Sequence, residues 1–390
     1  MLNLFINNQN FMKTNQSILA AALVVLAACT KANVENVNTG KLEGEEIGFN
    51  VVNQKATKAN NAIITGTTYG TDNSFKVWGW QSQKGDYSEF STGAASNFMT
   101  NLTIEYTKGA DAEHHDFAWR NAEHYYYWPF TGAIGFLAIH PSDLSASTYT
   151  ALTPAWEAGE VKKAKATITG YTISAANKTV DLMFASNKGT RESVVAGDGK
   201  VGMVFKHALS QIEVRVKTNE DYSADLQFDV DSVRFNNIDL SGDVLFSNDA
   251  ISWSENTTQT AYWDYYTTAK TDIRNYDLST TEGKASALYG AANLMIPQAA
   301  NIKAGELEST DPNYVEGDLT ETTIIIGYSM QQKPLANNAK ITGTVTISKP
   351  QIWEAGKKYN YTINFRLNEI LFNPSVTDWV DVNVETINIY

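Results

Sequence analysis

Short segments in which apolar and polar residues alternate recur along this chain, and they restrict its fold more than any other feature. In residues 47–52, Ile47, Phe49 and Val51 share one face, and residues 75–80 (FKVWGW) alternate in the same way. Period-two alternation is typical of half-buried β-strands. The eight prolines and the many Thr, Tyr, Val, Ile and Asn residues also favour strands, and no strong helical pattern is present. The sequence therefore predicts an all-β fold.

Two longer stretches predict strands of different kinds. Residues 125–140 (YYYWPFTGAIGFLAIH) are divided by Pro129, which is disfavoured inside a central strand. We interpret residues 125–128 as one strand end and residues 135–140 as a strand buried on both faces. Residues 201–216 (VGMVFKHALSQIEVRV) are the second stretch. Within it, residues 212–216 alternate apolar with charged side chains, which indicates a half-solvated antiparallel strand. Further predicted strands lie at 101–106, 180–185, 226–230, 232–235, 244–246, 294–297, 323–328, 340–347, 358–365 and 368–372.

The number of strands and the length of the chain predict two domains. A chain of 390 residues exceeds the usual size of one hydrophobic core. Many short strands separated by polar loops are typical of β-sandwiches. The polar break at residues 218–223 suggests tandem domains at 45–220 and 221–390.

The N-terminal region has the pattern of an exported lipoprotein. Lys13 precedes an apolar run at residues 18–27, which is too short to span a membrane. The run ends in LAAC, and Cys29 is the only cysteine of the chain. We expect residues 1–28 to be a signal peptide whose true start is Met12, Cys29 to be acylated, and residues 29–44 to be a flexible tether. The alternative is an ordinary signal peptide followed by a buried cysteine, but the position of the cleavage site favours the lipoprotein.

Composition and motifs argue against several functions. The net charge is −13 and no basic patch stands out, so nucleic acid is not an expected partner. Neither a nucleophile elbow, a zinc-protease motif, a phosphate loop nor a dinucleotide fingerprint is present. His114, His115 and His124 could bind a metal, but adjacent histidines on a strand face opposite sides, which favours a solvated loop. We interpret His207 as a hydrogen-bonded structural residue. The sequence predicts no enzyme, no cofactor and no metal site.

Several motifs occur in a recognisable order. They are LAAC at Cys29, IGFNV with a basic loop after it, FKVWGW at 75–80, YYYWP at 125–129, GFLAIHP at 135–141, DLMFA at 181–185, VFKHALSQIEVRV at 204–216, NLMIPQ at 293–298, WEAGKKYNYTINF at 353–365 and VTDW at 376–379. In this order and spacing, the chain resembles the Bacteroidetes fimbrillins, the FimA/Mfa-like subunits of type V pili. The resemblance covers nearly the whole mature chain.

The resemblance implies two transthyretin-like β-sandwich domains and a mechanism of assembly. The subunit is exported as a lipoprotein to the outer membrane, and an Arg- or Lys-specific protease then removes the lipid and the first strand, residues 47–53. Lys58 is the first expected cleavage site and Lys55 the second. The vacated groove accepts a strand from another fimbrial subunit, so that the subunits polymerise head to tail in an extracellular fimbrium that supports adhesion to host or bacterial surfaces. The expected donor residues are Trp379, Val380, Val382, Val384, Ile387 and Ile389.

Three alternatives remain open at this stage. If residues 379–390 complete their own domain, the protein is a tip or anchor subunit. If residues 54–61 are never cut, it is an anchored surface lipoprotein that binds glycans through some of its nine tryptophans and 19 tyrosines. A surface hydrolase with a carboxylate pair outside known motifs is the third.

Overall fold

The computed structural model describes residues 46–53, 69–107, 119–160, 162–195, 200–254, 261–298, 322–348, 352–366 and 370–378. Within them the protein is almost entirely β-structure, which confirms the all-β prediction. The strands are β1 (Gly48–Asn53), β2 (Ser74–Ser82), β3 (Met99–Tyr106), β4 (Trp119–Arg120), β5 (Ala133–His140), β6 (Ala151–Glu157), β7 (Lys163–Thr172), β8 (Met183–Gly189), β9 (Lys200–His207), β10 (Ser210–Thr218), β11 (Leu226–Ile238), β12 (Ser241–Ser247), β13 (Ala250–Trp253), β14 (Ala261–Tyr266), β15 (Asn293–Met295), β16 (Thr323–Gln332), β17 (Lys340–Ser348), β18 (Lys357–Phe365) and β19 (Ile370–Asp378).

Helices are few and short in the described part of the chain. They are α1 (Arg191–Val195), α2 (Thr281–Ala287) and 3-10 turns at Ala146–Thr148 and Leu335–Asn337. Thr280 caps α2 by accepting a hydrogen bond from the Gly283 amide at 2.9 Å. None of these helices has the length and apolar character needed to cross a membrane.

Seven strands close into a barrel in the order β1-β4-β3-β2-β5-β8-β9. Alternation on β2 directs Phe75 and Val77 into the barrel, whereas Trp78 and Trp80 lie on its outer face. The side chains inside form one hydrophobic cluster, which we call the barrel core. Its buried members are Ile47, Phe49, Val51, Tyr69, Phe75, Val77, Met99, Ile104, Trp119, Trp128, Ile134, Phe136, Ala138, Met183, Ala185, Val201, Met203 and Phe205.

Strand β5 is buried along its whole length because a second sheet covers the outside of the barrel. This sheet has the order β13-β12-β7-β6. The rings of Phe184 on β8 and Phe246 on β12 stack across the contact, with centroids 5.3 Å apart. Trp156 of β6 lies so close over Gly135 that a Cβ there would be 2.5 Å from the indole ring. The structure confirms the prediction that residues 135–140 are buried on both faces.

The C-terminal half forms a sandwich of two four-stranded sheets, ordered β15-β10-β18-β19 and β14-β11-β16-β17. Aromatic contacts show which strands face each other. Phe228 of β11 lies 4.6 Å from Phe365 of β18, and Tyr328 of β16 lies 5.9 Å from the same ring. The hydroxyl of Tyr265 on β14 contacts the Ile212 carbonyl of β10 at 3.4 Å. The strand orders of the two sheets, as written above, therefore progress in the same direction across the sandwich. The edge strands β17 and β19 lie on the same side of it.

Strand β10 differs from its prediction as a half-solvated antiparallel strand. It is a central strand, parallel to β18 and antiparallel to β15. Its polar face is also largely covered, since Glu213 is only 8% exposed. Glu213 pairs with Arg215 at 2.9 Å and with Lys358 of β18 at 2.6 Å. Because these charges satisfy each other, a strand with an alternating charged face can lie in the middle of a sheet.

Other predicted segments differ in detail. Residues 125–128 contribute only an isolated bridge, Glu46 to Tyr127, rather than a strand end. The predicted strands at 226–230 and 232–235 are one strand, β11, whose pairing shifts by a bulge between Val230 and Ser232. The domain boundary near residue 220 stays a prediction; strand pairing crosses it, because β12 pairs with β7.

Candidate functional site

The first strand closes the barrel, and its two sides are held very differently. On one side β1 runs parallel to β9 through six register pairs, from Gly48 with Lys200 to Asn53 with Phe205. On the other side, within the described residues, it has a single register pair, Phe49 with Trp119 of β4. The Ile47 amide adds one hydrogen bond of 2.7 Å to the Tyr126 carbonyl. β1 is therefore attached mainly along one edge.

Three apolar side chains at alternate positions, Ile47 just before β1 and Phe49 and Val51 within it, enter the barrel core, as the sequence predicts. Ile47, Phe49 and Val51 are 3%, 1% and 8% exposed, whereas Asn50 is exposed. Burial of each apolar side chain of this size is worth about 1.5–3 kcal/mol. The inward face of β1 is thus a row of three anchors at a spacing of two residues.

Phe49 is the central anchor and has a pocket of its own. Its ring meets Phe75 edge-to-face at 6.0 Å and Phe136 edge-to-face at 5.6 Å. Edge-to-face contacts at these distances are a favoured geometry of aromatic pairs. The two partners come from β2 and β5, so the pocket belongs to the body of the barrel and does not depend on β1.

Removing β1 would leave a well-defined groove. The backbone edge of β9 would lose its six parallel partners, and the buried side chains Val201, Met203 and Phe205 would face the gap. An unpaired strand edge beside an apolar slot is a template for another strand. The arrangement can therefore bind an extended peptide by its backbone and by pockets for alternate side chains.

Tyr69 closes the end of this groove, and no sequence pattern had indicated it. Its ring stacks on Phe205 at 5.2 Å and meets Trp119 edge-on at 5.0 Å. Its hydroxyl donates to the Ser74 carbonyl at 3.0 Å and lies 2.6 Å from His140 Nδ1. Burial, together with nearby carboxylates, raises the pKa of Tyr69 well above its usual value, so the hydroxyl keeps its proton.

Two buried histidines lie under this end of the barrel. Burial lowers the pKa of His140 to about 4, although Asp181 and the Ser74 carbonyl act in the opposite direction. His207 Nδ1 lies 2.9 Å from Asp181 Oδ2, with both side chains at most 3% exposed. A polymer substrate cannot reach this pair, and its geometry agrees with the interpretation of His207 as a structural residue.

The other predicted site residues lie outside the described residues. These are Cys29, Lys55, Lys58, His114, His115, Trp379, Val380, Val382, Val384, Ile387 and Ile389. His124 is described and is exposed, with its amide bonded to Asn121 Oδ1 at 2.8 Å. Across the described ranges, no cluster of His, Cys, Asp and Glu could hold a metal ion.

The fold is similar to that of a solved fimbrial protein. The crystal structure of a fimbrial protein from Bacteroides vulgatus has a TM-score of 0.57 at 17% identity, covering 86% of this chain and 99% of that one, which supports a shared fold. Two further structures have TM-scores below 0.5. A candidate cell adhesion protein from Bacteroides uniformis has a TM-score of 0.44 at 14% identity, covering 86% of this chain and 100% of that one. The tip fimbrial protein Mfa3 of Porphyromonas gingivalis has 0.30 at 9%, covering 79% and 94%.

The sequence also matches a family model. No match was found among curated protein sequences. The model described as fimbrillin-like matches residues 55–379, which is most of the chain. The match begins just after β1 and ends just after β19. Together with the all-β architecture, this shows that the chain belongs to the fimbrillin-like family.

Proposed function

We propose that this protein is a structural subunit of a cell-surface fimbria, matured by proteolysis and polymerised by donor-strand exchange, with a role in adhesion. The proposal rests on the way in which β1 is attached to the barrel. A complete strand with three buried anchors is held along one edge, and residues 54–61, which contain Lys55 and Lys58, follow it directly. The protein is not expected to be an enzyme.

Cleavage at Lys58, or at Lys55, would separate β1 from the rest of the chain without breaking any other strand. The anchors Ile47, Phe49 and Val51 would leave with the lipid on Cys29. The remaining body would keep the Phe49 pocket but expose it. Because burying that surface again is favourable, the groove would bind a replacement strand from another subunit.

The C-terminal residues have the pattern that such a replacement needs. Strand β19 ends at Asp378, and residues 379–390 follow it. In an extended strand, Val380, Val382 and Val384 would share one face, and Ile387 and Ile389 would lie on the opposite face. Either set has the two-residue spacing of the anchors on β1. Donation from each subunit to the next is a head-to-tail contact that does not close, and such contacts generate fibres.

The proposed location follows from the same scheme. The precursor is held at the outer membrane by the lipid on Cys29, and the mature subunit lies in the extracellular fimbrium. Its partners are other fimbrial subunits, and the finished fibre contacts host or bacterial surfaces. The family match to residues 55–379 supports this division, because it covers the body between the strand that is lost and the strand that is donated.

Intact-mass measurement tests the maturation step. We expect protein from shed fibres to start at Ala59, or at Ala56, without lipid, and protein from the membrane fraction to retain acylated Cys29. The double variant Lys55→Ala/Lys58→Ala should remain in the membrane fraction and be absent from fibres. If fibre-borne protein always retains β1 and the lipid, the subunit is a tip or anchor, or a glycan-binding lipoprotein, and a polymerised stalk is excluded.

A reconstitution separates the acceptor from the donor. The chain that starts at Ala59 should bind a synthetic peptide of residues 45–53, because the peptide restores β1. A peptide with Phe49→Asp should not bind, since a carboxylate would enter the aromatic pocket. The chain that starts at Ala59 and also ends at Asp378 should bind the same peptide yet fail to polymerise. Polymerisation of this doubly shortened chain would rule out residues 379–390 as the donor.

A further inference from the structure

Among the described strands, β17 is a long edge strand of the C-terminal sandwich. It makes nine register pairs with β16 and none with another strand in the described residues. Ile341 is 63% exposed, and Thr342, Thr344 and Thr346 are also exposed. A row of unpaired backbone groups on a strand of this length is a site for pairing with another strand.

Each of the other edge strands of the three four-stranded sheets is shorter than β17 or contains a proline. Among the described strands, β13, β14 and β15 have only four, six and three residues. β6 and β19 are longer, but each contains a proline, Pro154 and Pro374. β17 has nine residues and no proline. Short edge strands and prolines are two common protections against unwanted strand pairing. β17 has neither of them.

Charge does not protect β17 either. Its one charged residue, Lys340, is at its first position. Lys340 Nζ lies 3.7 Å from Asp229 Oδ2 and 3.7 Å from Asp231 Oδ1, both on β11 of the same sheet. The ammonium group of Lys340 therefore lies toward β11 of its own sheet and does not guard the outer edge of β17. The remaining edge, residues 341–348, is uncharged and rich in β-branched residues, which favour strand pairing.

The sequence of β17, KITGTVTIS, is nearly symmetric about Thr344. If two copies of the strand pair antiparallel with Thr344 opposite Thr344, then Thr342 lies opposite Thr346 of the second copy, and Ile341 opposite Ile347. Gly343 lies opposite Val345, and Lys340 opposite Ser348, so no two like charges meet. Cross-strand Thr–Thr pairs and pairs of β-branched residues are favourable. The strand is thus complementary to itself.

We propose that β17 is a self-association edge, through which two copies of this chain join by antiparallel β17 strands centred on Thr344. The contact places the same patch of both copies on a two-fold axis, so it closes at two copies. It connects the β14-β11-β16-β17 sheets of the two copies into one continuous sheet. It does not require removal of β1, and in a fibre it would join neighbouring fibres side by side instead of lengthening one.

Disulfide trapping tests the register directly in the full chain carrying Cys29→Ser, which removes the one native thiol. In the Thr344→Cys variant the two Cα atoms would be about 4.5–5.5 Å apart, within the range of a disulfide. The matched control is Thr342→Cys, which is also an exposed threonine of β17. In the proposed register its two copies are displaced by about 13 Å along the strands. We expect rapid dimer formation for Thr344→Cys and none above background for Thr342→Cys.

Charge substitution tests the same contact without a cross-link. Thr344→Lys places two lysines opposite each other on the axis, whereas Thr342→Lys faces a threonine. Analytical ultracentrifugation should show a dissociation constant for the dimer about fivefold to tenfold higher with Thr344→Lys and little change with Thr342→Lys. Since both side chains are exposed, neither variant should alter the circular dichroism spectrum.

Several outcomes would overturn the proposal. They are equal cross-linking of the two cysteine variants, a chain that stays monomeric at every concentration, and a dimer that Thr344→Lys does not weaken. A fourth concerns the chain's own end, because residues 379–390 follow β19 in the sequence, and β19 is the edge strand on the same side of the sandwich as β17. If the full chain is monomeric and the chain ending at Asp378 dimerises, then residues 379–390 cover β17 and the second copy is excluded as its partner.

Discussion

The two halves of the molecule each begin with a strand that runs parallel to a later strand, but the described residues hold the two strands differently. β1 pairs with β9 through six residues, and β10 pairs with β18 through eight. Within the described residues, β1 has one register pair on its second side, whereas β10 has three with β15 and an additional bridge from Arg215 to Leu288. β10 also continues from β9 through the fully buried residues Ala208 and Leu209.

This difference shows that the same pairing can serve two purposes. A first strand held on both sides and continuous with its predecessor is part of the permanent core. In the proposed maturation, a first strand held mainly on one side and followed by a basic segment is the unit that is removed. The comparison predicts that damage to β1 is local and that damage to β10 is global, and the following experiments are arranged from the largest expected effect to the smallest.

Matched substitutions of valine by aspartate should give the largest contrast. Val214 in β10 is fully buried, so Val214→Asp places an unpaired carboxylate between the sheets and should cost more than about 4 kcal/mol. We expect loss of the C-terminal sandwich. Val51→Asp should expel β1 and leave that sandwich folded. Limited proteolysis with mass spectrometry measures both, and the comparison fails if Val51→Asp also exposes β11 and β18 to cleavage.

Truncation of the central anchor of β1 should have the next largest effect. Phe49→Ala empties the pocket between Phe75 and Phe136 and should weaken the docking of β1 by about 3–5 kcal/mol. The neighbouring Asn50→Ala, at an exposed position, should change stability by less than about 0.5 kcal/mol. Hydrogen exchange measures this at the β9 amides that pair with β1. Equal protection of these amides in both variants would show that β1 does not depend on its anchor.

As the pH is lowered, the barrel should lose stability at a higher pH than the C-terminal sandwich. The pKa of His140 is lowered to about 4 in the folded protein, against an ordinary value of about 6.5. The unfolded chain therefore binds more protons between these two values, and stability falls as the pH drops through this window, by about 3 kcal/mol in total. Asp181, Asp143 and His207 also influence this site.

Urea unfolding measured from pH 7 to pH 4 checks this effect. His140→Asn should flatten the pH dependence of the barrel transition, whereas His124→Asn, at an exposed position, should leave it unchanged. If acid unfolds both halves together in the unaltered chain, His140 does not make the barrel the weaker half.

The ion pairs on β10 should give the smallest effect. Lys358 pairs with Glu213 at 2.6 Å and links the parallel strands β10 and β18. Lys358→Met should cost about 1 kcal/mol, because Glu213 retains Arg215 as a partner. Lys84→Met, at an exposed position of the β2–β3 loop, should cost less than about 0.5 kcal/mol. Chemical denaturation measures both, and equal values would mean that the ion pair adds nothing to the attachment of β10.

Local alternation was sufficient to predict some strands and insufficient for others. Ile47, Phe49 and Val51 have a two-residue spacing, and their predicted face is buried. β5 was predicted from a continuous apolar run, and it is buried along its whole length. β7 was missed because its buried positions include Ala164 and Ala166, whose side chains give little hydrophobic contrast. β4 has only two residues, so it has no period to detect.

The candidate site was predictable only in the part that is local in sequence. The anchors of β1 follow from the order of residues 47–51. The pocket that receives Phe49 does not, because Phe75 and Phe136 come from separate strands and meet only after the barrel closes. The position of Tyr69 at the end of the groove was unpredictable for the same reason. Its stacking on Phe205 depends on long-range pairing that no short window of sequence contains.

The continuity of β9 and β10 has a mechanical consequence for a fibre built in the proposed way. Tension entering through a strand seated beside β9 would pass into β10 through Ala208 and Leu209. It would then cross the eight register pairs to β18 and the nine register pairs to β19, after which it would leave through the donated strand. Each step loads a strand along its length, so the hydrogen bonds between strands would share the load in shear instead of opening one at a time. The subunit would therefore resist stretching, and the fibre would behave as a stiff cable.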